Sequence, residues 1–290
     1  MSDPVFLGEE NLAPGMPVLH VTTPAATASI ALQGAHLFAW QPRGQAPVIW
    51  LSERSPRSAG RPLRGGIPLC WPWFGPHGSD STFPAHGCVR TLPWRLAEAH
   101  LEGDRACLEF EPAFDDASRS VWPHPTALRY RVTIGEELHI ELVTTNSGVE
   151  AFTLTQALHT YFAVGDIRQV RIDGLDGHDY LDKPDGYRRQ RQHGSLGFSG
   201  ETDRIYLDTA GACTIHDPAM GRRIVVTGSG SRSTVVWNPW VDKSAHIGEF
   251  SPDGYTRMVC VETANAADDT ITLLPGASHR LAARYQVLPL

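Results

Sequence analysis

Residues 127–146 read ALRYRVTIGEELHIELVTTN. Leu128, Tyr130, Val132 and Ile134 alternate with polar residues, and beyond Gly135 the alternation resumes at Leu138, Ile140 and Leu142. A period of two places these apolar side chains on one face of an extended chain, and the glycine between the two runs marks a reversal. The stretch therefore predicts an antiparallel β-hairpin with one buried face. CLEFEP, from Cys107, alternates in the same way.

Outward from this hairpin the chain continues in short extended runs. Val18 to Thr23, Thr27 to Gln33 and Val48 to Ser52 are β-branched or apolar and bounded by Pro and Gly, and a turn at Gln33–His36 leads to a run ending near Trp40. Later strand candidates are Phe152 to Leu158, Gln169 to Ile172, Arg223 to Val226, Thr234 to Trp237, Met258 to Val261, Thr270 to Leu274 and Leu281 to Val287. No long segment repeats its apolar residues at helical spacing. Many strands without helical crossovers imply an all-β fold, a large antiparallel β-sandwich with few short helices. No composition break or internal repeat divides the chain, so residues 1–290 are expected to form a single domain.

The stretch from Arg64 to Arg90, RGGIPLCWPWFGPHGSDSTFPAHGCVR, does not fit the strand pattern. Its five glycines and four prolines exclude a helix and make a poor strand. It is either a surface loop whose tryptophans plug the core, or a loop holding aromatic planes and guanidinium groups around a flat polar ligand such as a sugar. Arg64 abuts Gly65-Gly66, where a backbone can approach a ligand closely, whereas Arg54, Arg57 and Arg61 read as a solvated loop.

Composition narrows the function. A net charge of −7 argues against nucleic acid as the partner, and an acidic protein that binds an anion needs a local cluster of cations. Five cysteines with no C-x-x-C pair read as reduced thiols. No run approaches the ~20 apolar residues of a membrane span, and MSDPVFLGEEN does not read as a signal peptide. A cytoplasmic protein is expected. Walker, GxGxxG and G-x-S-x-G motifs are missing, and the histidines and cysteines show no metal-ligand spacing, so neither cofactor nor metal is expected.

Two strand ends carry chemistry-bearing residues. In AFTLTQALHTYF, His159 ends a small, polar face shared with Thr153, Thr155 and Ala157; it looks into a wet cleft or lies on the surface. In RMVCVETAN, Val259 and Val261 point one way while Met258, Cys260 and Glu262 point the other. An ionised group there needs partners, so Glu262 either marks the strand's emergence into solvent or sits in a pocket with a role. Asp203-Arg204 reads as an exposed ion pair, and Trp237-Asn238-Pro239-Trp240 as a turn flanked by indoles.

RGGIPLCWPWFG, HGCVR, ALHTYF, ETDRIY, VVWNPW and VCVETAN occur in that order between residues 64 and 265. Together they resemble the hexose-6-phosphate mutarotases, or glucose-6-phosphate 1-epimerases, of the aldose 1-epimerase superfamily. The resemblance implies a galactose mutarotase-like supersandwich that interconverts the α and β anomers of a hexose 6-phosphate. It makes Glu262 the general base and His159 the general acid. Arg64, Arg90 and Asp203 become substrate contacts, with the arginines near the phosphate, and His86 a second active-site histidine. Trp71, Trp73, Trp237 and Trp240 are candidates for a sugar platform. Ala85 departs from the Gln that some members carry before the HG, and Cys88 stands where an aromatic residue is common. A mutarotase for free aldohexoses and a non-catalytic sugar-binding sandwich remain as alternatives. A monomer acting on a small sugar phosphate is expected.

Overall fold

The computed structural model describes residues 6–290, with side chains from residue 10 onward; the reading of residues 1–5 as free of a leader lies outside them. Antiparallel strands dominate. Among the described residues there are only two α-helices, Asp116–Val121 and Trp240–His246. The hairpin in 127–146 forms as Thr126–Ile134 paired with Leu138–Asn146. Leu128, Tyr130, Val132, Ile134, Leu138, Ile140 and Leu142 are all buried in one core cluster.

That hairpin lies within a nine-stranded sheet. Across it run Leu196–Gly197, Arg171–Asp173, Ala212–Asp217, Arg222–Ser229, Ser278–Pro289, Leu138–Asn146, Thr126–Ile134, Arg105–Pro112 and Trp94–Glu102. An eight-stranded sheet stacks on it, in the order Arg188–Arg191, Asp179–Asp182, Thr202–Leu207, Ser233–Asn238, Met258–Asn265, Gln156–Leu158 and Leu69–Cys70. Its eighth strand, Tyr161–Ala163, pairs along the far half of Met258–Asn265. Leu158, Phe162, Val236, Val259 and Val261 of this sheet join the same core as the hairpin residues. The Thr160 and Tyr285 hydroxyls bond across the layers at 2.6 Å, both buried. A four-stranded sheet, from Phe6–Ala13 to His36–Pro42, and the short pair Phe152–Leu154 with Ile271–Leu273 complete the fold.

Three expectations change. Val48 to Ser52 makes only isolated bridges, Ile49 to Phe162 and Leu51 to Gly65. Phe152 to Leu158 is two strands in two different sheets. Asp203 and Arg204 are not an ion pair: successive strand residues face opposite sides, so Asp203 meets Lys183 while Arg204 meets Asp182 and stacks over Tyr180.

Candidate active site

The outer face of the eight-stranded sheet is built from two adjacent rows of directly opposed residues. One row runs Leu181, Ile205, Val235, Glu262. The other runs Asp203, Trp237, Cys260, Tyr161. Leu158 pairs with Thr263 and Tyr161 with Cys260, so the same register carries His159 opposite Glu262. Opposed residues in an antiparallel pair share a face and lie ~5 Å apart at Cβ. Residues distant in sequence thus meet in one patch because of strand pairing.

His159 Nδ1 lies 3.4 Å from Glu262 Oε1, with the two side chains 13% and 1% exposed. The imidazole stacks on Tyr161, with ring centroids 4.9 Å apart and planes 11° from parallel, and meets Trp237 and His86 edge-on. Glu262 Oε2 and His159 Nδ1 are buried with no hydrogen-bond partner. Around the pair is a pocket of about 180 Å³, walled by Phe74, His86, Asp203 and Trp237 and by three cations, Arg64, Lys183 and Lys243. A larger cleft of about 600 Å³, lined by Trp50, Glu53, Asp253 and Arg257 among others, contains no histidine.

Charge in this pocket is set by burial. Burial pushes the Glu262 carboxyl well above the usual range, with Asp203 adding to the effect and Lys183 opposing it. Burial holds the His159 imidazole well below its usual value, reinforced by His86, Arg90 and Arg64. Burial therefore favours the neutral forms of both groups over a carboxylate–imidazolium pair. Both arrangements hold one proton between the two residues, so passing from one to the other needs only transfer across the 3.4 Å gap. Burial, then Arg90, Lys183 and Arg64, lowers His86 to about 3.

The cations are each engaged. Arg64 donates from Nε to Glu249 at 2.8 Å and from Nη1 to the Tyr161 hydroxyl at 3.3 Å. Lys183 Nζ lies 2.9 Å from Asp203 and 5.8 Å from the Phe74 ring centre. Lys243 lies 2.6 Å from Glu201. Arg90 does not line the pocket; its Nη2 donates to the Ala85 carbonyl and its Nε is buried without a partner. Gly65 and Gly66 admit protein rather than ligand: a Cβ at the first would strike the backbone of Trp50 and Leu51, and at the second the His36 imidazole.

Of the four tryptophans expected to offer a platform, only Trp237 lines the pocket. Trp71 is fully buried in the main core, its Nε1 donating to Thr144 at 3.1 Å. Trp73 is buried against His77 and Phe83 and donates to the Pro84 carbonyl. Trp240 opens the second helix and packs on Tyr255. The stretch from Arg64 to Arg90 thus plugs the core with Trp71, packs Trp73 within the loop itself, and contributes Arg64, Phe74 and His86 to the pocket. Cys88 is buried in the core and Ala85 is exposed.

Sequence reasoning missed Tyr161, Lys183, Lys243 and Glu249. Tyr161 was legible, two residues after His159 and so on the same face. Lys183 lies in a Pro-Asp-Gly turn and Lys243 in a short helix, and neither carries a local signal.

Residues 17–286 match the family model described as aldose 1-epimerase. A protein of Escherichia coli strain K12, provisionally named glucose-6-phosphate 1-epimerase, is 40% identical over 249 residues, spanning 86% of this chain and 83% of its own. One of the same provisional name from Cenchrus ciliaris is 33% identical over 268 residues, spanning 87% and 79%. The crystal structure of a provisional mutarotase from Salmonella typhimurium superposes with a TM-score of 0.92 at 36% identity, over 99% of this chain and 97% of that one. A galactose mutarotase-like protein from Clostridium acetobutylicum, only 13% identical, shares the fold with a TM-score of 0.76 over 99% of both chains. A family match over nearly the whole chain, on a sandwich of the galactose mutarotase-like kind, makes this chain a member of the aldose 1-epimerase family.

Proposed function

We propose that this protein interconverts the α and β anomers of a hexose 6-phosphate, with glucose 6-phosphate the preferred substrate. The observation that carries the reading is the buried Glu262–His159 pair in a pocket that also presents three cations. The provisional names of its relatives point to the same substrate.

The chemistry follows from the residue types. Glu262 takes the proton of the anomeric hydroxyl while His159 gives one to the ring oxygen. The C1–ring-oxygen bond breaks, C1 becomes an aldehyde, and rotation about C1–C2 lets the ring reclose on its other face. On reclosure the two protons return, so acid and base are restored each turnover. The step needs no cofactor.

Arg64 is one of the charges that depress the His159 imidazole. A phosphate dianion beside Arg64 offsets that repulsion and favours the imidazolium, so the substrate helps to arm the acid. In this reading Asp203, held by Lys183, binds a sugar hydroxyl, and Trp237 packs on the C–H face of the ring. The protein is expected to act as a single domain and a monomer, in the cytoplasm.

A free aldohexose is the second reading. It is favoured by the pairing of Arg64, Lys183 and Lys243 with carboxylates, which a phosphate has to displace. Saturation-exchange NMR on α and β glucose 6-phosphate, beside glucose at equal concentration, separates the two. Faster exchange of the phosphate ester is expected. Equal acceleration of both sugars supports the second reading, and no acceleration of either overturns both.

A further inference from the structure

We propose that His159, Cys260 and Glu262 form a three-ligand site for Zn²⁺, and that the bound ion inhibits the enzyme by taking its acid and base as ligands. Strand alternation puts Cys260 and Glu262 on the same face, and strand pairing sets His159 across from Glu262. One ligand atom from each of the three lies within 4.8 Å of the others. The donor set of imidazole, thiolate and carboxylate suits zinc and excludes the hard cations, which take oxygen alone.

Ligand atoms on a tetrahedral zinc stand about 3.3–3.6 Å apart, given bond lengths of about 2.0–2.3 Å. The His159–Glu262 separation of 3.4 Å already meets this, and Cys260 Sγ lies within 4.8 Å of both partners' ligand atoms. An independent observation also points to a ligand here. Glu262 Oε2 and His159 Nδ1 are both buried and unpartnered, and a lone pair without a donor is what a cation satisfies. Three protein ligands leave a fourth position, as in open zinc sites, and two of them, His159 and Glu262, line the pocket. Coordination releases the Cys260 thiol proton and the Glu262 carboxyl proton to solvent. Nothing in the anomer exchange uses Cys260, so the sulfur is free for this role.

Co²⁺ reports the site without relying on turnover. Metal-stripped protein titrated with Co²⁺ is expected to show tetrahedral d–d absorbance and a thiolate-to-cobalt charge-transfer band, both removed by equimolar Zn²⁺. Cys260→Ser should abolish the charge-transfer band and weaken Zn²⁺ binding on the order of 10–100-fold, at least the cost of losing an outer-shell partner. Cys70→Ser, which removes another fully buried thiol of the same sheet, should keep the band; it controls for loss of folding. Zn²⁺ should also slow anomer exchange in wild type in proportion to occupancy. No charge-transfer band, its loss in Cys70→Ser, or equal Zn²⁺ affinity of wild type and Cys260→Ser would overturn the proposal. Because the cobalt readout is independent of substrate, a failure of the sugar-phosphate reading leaves it standing.

Discussion

Two sheet faces turn away from the common core, and they carry charge on different terms. On the outer face of the nine-stranded sheet, Glu109 sits between Arg129 and Arg131, Glu141 meets Arg280, and Glu137 meets Arg284. These arginines stand largely in water, where an ion pair contributes roughly 0–1 kcal/mol. On the outer face of the eight-stranded sheet, Glu262 and His159 lie under a cover of loops, and one carboxylate oxygen has no partner at all. Burying such groups costs stability, so their presence there is a mark of function rather than of folding. The exposed face alternates polar with the apolar core positions, whereas the covered face is itself largely apolar, with Leu181, Ile205, Val235 and Trp237 beside Glu262.

The largest expected effect tests the covered face. Glu262→Gln keeps the shape and removes the basicity, so anomer exchange should fall by ~10²-fold or more, the usual scale for acid–base catalysis. Circular dichroism should be unchanged and sugar phosphate should still bind. His159→Asn should behave alike. Near-wild-type exchange in Glu262→Gln would turn the covered pair into a structural feature and favour a binding protein.

Burial also sets the next effect. His36 is fully buried with its Nε2 2.8 Å from the Gly65 carbonyl oxygen, and burial lowers it from 6.5 to about 4. The unfolded chain therefore binds this proton at a higher pH than the fold does. The stability linked to His36 is full above pH 6.5 and is lost as pH falls toward 4, by about 3 kcal/mol. Urea unfolding at pH 7 and pH 4.5 should show this loss in wild type and a shallower one in His36→Gln. Equal slopes would assign the acid sensitivity to other groups.

A smaller effect sharpens what the pocket cations do. Arg64→Ala or Lys183→Ala should weaken glucose 6-phosphate binding by about 1.5–3 kcal/mol, the scale of a hydrogen bond to a charged group. Glucose should lose much less. Equal losses for both ligands in calorimetry would show that these cations hold Glu249 and Asp203 in place instead of reading phosphate. Arg90→Ala, which loses a side chain outside the pocket lining, should discriminate less between the two sugars than Arg64→Ala.

The smallest effect belongs to the exposed face. Arg131→Ala should change stability by less than about 1 kcal/mol and leave exchange untouched. A loss of several kcal/mol in thermal unfolding would mean that this ion network is not merely solvated, and would break the contrast drawn between the two faces.

Periodicity and composition determine by themselves that this chain is a stack of antiparallel strands. The hairpin in 127–146 and the two sides of Met258–Asn265 follow from a period of two, because each residue's face is decided by its immediate neighbours. Tertiary structure alone decides which outward face is covered, and so which charges cost energy. Trp237 meets the pocket from its strand, whereas Trp71 and Trp73 turn away from it, because orientation in their Pro- and Gly-rich loop depends on what packs against it. Lys183 and Lys243 enter the site from a turn and a short helix with no periodic signal. Glu262 meets His159 because strands a hundred residues apart pair in one register, and pairing over such a distance is set by the whole sheet rather than by any local stretch.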